Sequence, residues 1–165
     1  MLTWKERPKE IANLLNPAIC CTILTSSIVG YKSVDPNGMP FPLMFIVLPL
    51  ILHKKTRDSL PRSITTTFTA WIHRDPSAKL SFYERAVSMK PFTREAISFG
   101  LSHGWLFLDQ NGKMNSIMED KNIERFLRKL DGENKECVRK SRLMGKLFAK
   151  AGSTDTIFTL LGIRK

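Results

Sequence analysis

Three histidines, three cysteines and fifteen acidic residues are the side chains from which a catalytic or metal centre could be assembled in this 165-residue chain. His53, His73 and His103 lie far apart, without the HxxxH or HxxE spacing that puts two ligands on one helical face. Cys20 and Cys21 are adjacent and Cys137 is remote, which is neither the spaced pair of a zinc site nor a disulfide framework. They read as reduced, partly buried thiols of a cytosolic protein. Glu119, Asp120 and Glu124 gather at a helix start, where carboxylates complement the helix dipole instead of converging on a metal ion. Glu84 and Glu95 read as helix residues, with no second carboxylate evident in the sequence to make an acid pair. Phosphate-cradling GxxxxGK[ST], dinucleotide-binding GxGxxG and the GxSxG nucleophile elbow are all absent. The expectation is a non-enzymatic protein with no catalytic residue, cofactor or metal.

Charge offers a different chemistry. Lysine and arginine exceed aspartate and glutamate by 26 to 15, a formal charge of +11, and the resulting field favours nucleic acid, anionic lipid or an acidic protein face. Much of it lies in ENKECVRKSRLMGKLFAK, residues 133–150, where Val138, Leu143, Met144, Leu147 and Phe148 mark a packed helix. Lys135, Arg139, Lys140, Arg142 and Lys146 surround that apolar face and are the candidate nucleic-acid contacts. Such a stripe either neutralises phosphates with salt-sensitive affinity or is a solvated helix face. Lys54, Lys55, Arg57 and Arg62 form a second cluster beside apolar sequence, suited to an acidic protein surface or a DNA strand, or to plain solvation.

The apolar sequence in question is GMPFPLMFIVLPLILH, residues 38–53. A membrane-crossing helix needs roughly 20 apolar residues, and this run is shorter and followed at once by cations. A segment apolar on every side is therefore core, interface or both. Pro40 and Pro42 force an extended start, Leu43 to Leu48 suit a short strand or a helical turn, and Pro49 suits a kink or the first turn of another helix. The tail AGSTDTIFTLLGIRK offers Ser153 or Thr154 as an N-cap and then Ile157, Phe158, Leu160 and Leu161, which must dock on something. Candidate partner contacts are Pro40, Phe41, Phe45, Arg57, Arg62, Ile157, Phe158 and Leu161.

Helical spacing around Asn16-Pro17 predicts helices at about 7–15 and 17–31, and Asp35-Pro36-Asn37-Gly38 predicts a loop. The run ITTTFTAWIHRDP predicts a helix from Ile64 to the stop at Asp75-Pro76. LSFYERAVSM predicts a helix, Lys90-Pro91 a tight turn, and FTREAISFGLSHG a second helix ending at Gly104. An Asn111-Gly112 turn between WLFLD and KMNSIM predicts a hairpin whose two central residues take positive φ. Helix, turn, helix and hairpin is the order of a winged helix, although a base-reading face would rest mostly on Arg94, which suits protein contact better than sequence-specific DNA recognition. Ile123, Phe126, Leu127 and Leu130 predict a further helix, ended by Asp131-Gly132. The opening MLTWKERPKEIANLL carries charges where a secretory signal has its apolar region, so a cytoplasmic location is expected.

Over about residues 5–105, the phrases NLLNPA, GMPF and LPLILHxxTRxxLP, with TAWIHRDP after them, resemble the small middle component of bacterial three-component ABC ATPase systems. That group includes Lamassu-type antiphage and antiplasmid defence. The resemblance implies a subunit without catalytic motif, partnered by an SMC-like coiled-coil ABC ATPase and an effector, often a nuclease. It marks Asn13, Asn16, Pro17, Gly38, Pro40, Phe41, Leu48, Pro49, His53, Thr56, Arg57, Leu60 and Pro61 as fold-defining or interface positions. The basic C-terminal third carries no matching motif.

The expected fold class is mainly α with one β-hairpin, a helical core (1–118) containing a winged-helix-like unit at about 79–118, with a basic helical extension of the same domain over 119–165. The expected function is an adaptor between ATPase and effector, with DNA contact possible through the complex and no membrane. The alternative is a free-standing winged-helix DNA-binding protein.

Overall fold

A computed structural model describes residue 6 and residues 15–164. The helix expected at 7–15, and Asn13 with it, lies outside the described residues.

The chain is mainly helical with a small antiparallel sheet. Helix α1 (Pro17–Lys32) starts where Asn16 Oδ1 accepts the Ala18 N–H at 2.8 Å and Pro17 occupies the first turn, a position that has no hydrogen bond to lose. It is buried from Cys20 to Tyr31, so it is the central helix of the core. Three of its polar side chains are satisfied on backbone: Thr22 on the Ala18 carbonyl, Ser27 on that of Leu24, and Ser26 across to Val138 at 2.7 Å.

The apolar segment is largely core. Gly38 has φ +95° and lies so close to Asn115 that a Cβ would sit 2.8 Å from that side chain. It leads into β1 (Met39–Pro40), a strand the sequence reading missed, where Pro40 is tolerated because the strand is at the sheet edge. After a 3₁₀ turn at Phe41–Leu43 comes α2 (Met44–Ile51), with Leu43, Met44 and Ile46 to Ile51 buried. Pro49 is inside α2 and offers no N–H to the turn before it. His53 then caps the short α3 (Lys54–Ser59).

Helix α4 (Phe68–Arg74) begins four residues later than expected, because Thr67 Oγ1 accepts the Ala70 N–H at 3.1 Å and so sets the cap there. The larger correction concerns Lys90-Pro91. No turn forms: α5 (Phe82–Ser102) is one helix with Pro91 inside it. Phe82 before the proline and Thr93, Ala96, Ile97 and Gly100 after it are all buried, and packing of both halves on α1 and α2 outweighs the lost hydrogen bond, a cost of ~3 kcal/mol or more.

The hairpin forms from β2 (Leu106–Leu108) and β3 (Lys113–Ser116), with Leu106 opposite Ser116 and Leu108 opposite Met114. Only Gly112 of its turn takes positive φ; Asp109 Oδ1 instead accepts the Asn111 and Lys113 N–H groups at 2.8 and 3.0 Å and closes the loop. β1 pairs with β3, giving strand order β1-β3-β2. The unit expected at 79–118 thus has one helix instead of two, and a third strand supplied from Met39–Pro40.

Helix α6 (Asp120–Lys129) opens with a capping box between Glu119 and Asn122, and α7 (Gly132–Ala151) runs beside α1. The two helices touch backbone to backbone: a Cβ on Gly145 would lie 1.8 Å from the Ser27 carbonyl oxygen, and one on Gly30 would lie 1.9 Å from that of Arg142. The tail forms α8 (Thr154–Leu160), capped by Ser153 Oγ accepting from Thr156 N at 3.1 Å. No helix among the described residues is long and apolar enough to cross a membrane.

Candidate protein interface and basic cleft

Two parts of the surface gather the predicted residues, and a third group turns out to be internal. The internal group includes three of the candidate partner contacts. Arg57 is 2% exposed: its Nη1 donates to the Ile51 carbonyl at 2.7 Å and its Nη2 to Glu133 Oε1 at 2.9 Å, tying the end of α2 to the start of α7. It is a buried clamp and not part of an exposed basic cluster. Ile157 and Leu161 are likewise buried, so α8 docks its apolar face on the chain's own core. Helical spacing identifies the apolar face of α8 without saying whether the surface that covers it is in the same chain, and the charge of Arg57 does not show that Glu133, remote in sequence, meets it.

Phe158, on the other side of α8, is half-buried. With Phe45 from α2 and Ile163 after α8 it lines a groove of about 380 Å³ whose remaining walls are Pro42, Ile46 and the α5 residues Tyr83, Ala86, Val87 and Lys90. Tyr83 is 60% and Val87 53% exposed, unusual for large apolar groups at i and i+4 of one helix. Phe41 stacks edge-to-face on Phe45, ring centres 5.5 Å apart, and helps hold it in place. Pro40, beside them, is engaged as a sheet-edge residue. The α5 wall has a weak sequence signal: Phe82, Tyr83, Ala86 and Val87 make an apolar arc wider than the single buried position Phe82 requires.

At the opposite end of α5 a second apolar group is exposed: Leu101 of α5 itself, Phe107 and Leu108 on the hairpin, and Ile117 after it. The sequence reading missed these too, since alternation marks a strand without showing which face stays bare.

The basic cleft, about 190 Å³, is lined by Arg62 from the loop after α3 and by Arg139, Lys140, Arg142, Leu143 and Lys146 of α7. Lys150 Nζ donates to the Ile64 carbonyl at 3.3 Å and fastens that loop to the helix. Four of the five predicted nucleic-acid residues are brought together here, with Lys135 further along the same helix. Two of them are already paired: Arg139 with Glu136 at 2.6 Å, and Arg142 with Glu124 at 2.6 Å and Asp120 at 3.5 Å.

The thiols carry no site. Burial pushes Cys20 up to about 12 and Cys21 and Cys137 up to about 11, which favours the protonated thiol at each of these free cysteines.

Residues 4–165 match the family described as ABC-three component (ABC-3C) system Middle Component 3. The chain belongs to that family. No curated protein and no solved structure matches it. As a middle component, it works alongside the other components of such a system.

The phrases that carried the resemblance now have physical roles in this middle component. Asn16 and Pro17 start the central helix, Gly38 admits β1 against Asn115, and the HxxTR run supplies the cap at His53 and the clamp at Arg57. His53 Nδ1 accepts the Thr56 N–H at 3.4 Å and lies 2.8 Å from the Thr56 hydroxyl. Burial, with Arg85 and Lys55 nearby, holds its imidazole below its ordinary pKa, which keeps Nδ1 available as an acceptor. The described ones among these positions act within the fold.

Proposed function

We propose that this middle component is a non-catalytic adaptor that holds an SMC-like ABC ATPase with one apolar surface and an effector of nuclease type with another, in a Lamassu-type antiphage or antiplasmid complex of the bacterial cytoplasm. The observation that carries the reading is the distribution of apolar surface along α5. Tyr83 and Val87 are exposed near its first end and Leu101, Phe107 and Leu108 near its last, separated by about 20 Å at 1.5 Å per residue. Exposed apolar groups rimmed by polar ones favour protein contact, and aromatic anchors such as Tyr83, Phe158 and Phe107 are the side chains that dominate such interfaces. Family membership supports the existence of partners.

The hairpin β2-β3 directly after α5, completed by β1 in the strand order β1-β3-β2, supports a winged-helix-like arrangement, used here for protein contact. A free-standing DNA reader is the weaker use of it, because the hairpin exposes Phe107 and Leu108 where phosphate contacts would need cations.

The test is co-expression with the products of neighbouring genes and sizing of the purified assembly. Val87→Asp with Phe158→Asp releases one partner, and Phe107→Asp with Leu108→Ser releases the other. An assembly that keeps every subunit with both pairs of changes refutes the adaptor reading.

A further inference from the structure

The basic cleft is independent of those apolar surfaces. We infer that it seats the phosphodiester backbone of duplex DNA, without reading sequence. Lys135, Arg139, Arg142 and Lys146 stand at i, i+4, i+7 and i+11 of α7, one face of a helix over about 16 Å, the axial rise of roughly five nucleotides of one strand. Arg62 approaches the same face from a separate element, and the Lys150 bond to Ile64 holds that loop in place, so the cleft has two walls.

Its charges divide into two sets. Arg139 and Arg142 are partly neutralised by Glu136, Glu124 and Asp120, and Lys140 lies within the influence of Asp58. Arg62 and Lys146 have no acidic partner among the described residues, and they carry the contact together with Lys140. Leu143 is the only uncharged lining residue, so the cleft has no aromatic platform for unstacked bases and no amide to pair with base edges. Single-stranded and sequence-specific modes are therefore disfavoured. Cations brought from two separate elements, with Arg62 and Lys146 not ion-paired to a carboxylate among the described residues, match the phosphates of a duplex strand better than the irregular charges of an acidic protein.

The test is fluorescence anisotropy of a labelled 20-base-pair duplex with the full chain alone, across a salt series. No other component is present, so the result is separate from that of the adaptor reading. Arg62→Glu, Lys140→Glu and Lys146→Glu together weaken binding at least about tenfold at 0.1 M salt and lower the slope of log affinity against log salt by about 2.7, at roughly 0.9 per phosphate contact. The corresponding glutamine triple moves both in the same direction, and its thermal melt matches that of the parent chain. Reversal at Arg74, Lys79 and Lys129, with the same change in net charge, leaves the slope in place. Equal losses from the cleft reversal and the Arg74, Lys79 and Lys129 reversal, no duplex binding at 50 mM salt, or displacement of the duplex by poly-glutamate at equal charge concentration would each overturn the assignment.

Discussion

Gly145→Ala sets two effects of opposite sign against each other. Gly145 is interior to α7, where replacing glycine by alanine stabilises an isolated helix by about 1 kcal/mol through backbone entropy. The added Cβ, however, would sit 1.8 Å from the Ser27 carbonyl oxygen and 2.8 Å from the Tyr31 nitrogen. Ordinary contact begins at 3.4 Å, so α1 and α7 would have to move apart by about 1.5 Å. The obstructing atoms are backbone and cannot rotate away. Separation also stretches the Ser26 bond to Val138 and loosens the apolar seam along both helices. Overpacking of this kind costs about 1–3 kcal/mol where side chains can yield and more where they cannot, which leaves a net loss of about 2–4 kcal/mol after the propensity gain. In a chain of this length that lowers Tm by roughly 5–12 °C and shifts the urea midpoint in the same direction at constant m. Differential scanning calorimetry and urea unfolding followed by circular dichroism measure both. A Tm equal to or above that of the parent chain would refute the close-crossing argument, since propensity alone gives that result. Gly30→Ala, facing the Arg142 carbonyl, has the same sign.

Glu133→Gln changes a half-exposed residue yet costs about 1–3 kcal/mol, because it removes the charge that balances the buried Arg57 guanidinium and leaves Nη2 only a neutral amide oxygen, beside the Ile51 carbonyl on Nη1. A loss within 0.5 kcal/mol, about that of an ordinary surface pair, would show that the clamp is not under strain of desolvation. His53 gives a pH signature: its folded pKa lies below its unfolded value of about 6.5, so the unfolded chain binds more protons in that interval. Its contribution is present above about pH 6.5 and is lost as pH falls from there through the folded value. The lowered carboxyls of Asp58, Asp75 and Asp109 lose their contributions only below about pH 4, so urea midpoints at pH 7.5 and 5.5 isolate the histidine. His53→Asn, a good N-cap without a titration, removes the difference between those two midpoints; an unchanged difference would place its origin elsewhere. Val87→Asp, 53% exposed in the parent chain, leaves Tm within about 2 °C while detaching a partner; a large fall in Tm would mark the groove as core.

Much of the element order was legible from local chemistry. Asn16-Pro17, Ser153 and the Asp131-Gly132 stop act within one turn of the residues that they organise, and each stands where the sequence places it. Periodicity likewise marked α1, α6 and α7, because an apolar face repeats every helical turn whatever covers it. The chemistry of phosphate and nucleotide machines was absent at the level of motif, and the cationic stripe of α7 was visible as spacing alone. What the sequence could not decide depends on residues remote from one another. Pro91 remains helical because α1 and α2 hold both sides of it; Met39-Pro40 becomes a strand because β3 offers an edge; Arg57 is internal because Glu133, far along the chain, meets it. Arg62 joins the basic cleft and Tyr83 the apolar groove for the same reason. Local propensities of about 1 kcal/mol are settled by neighbours in sequence, whereas burial of whole side chains, worth several times that, is settled by tertiary contact.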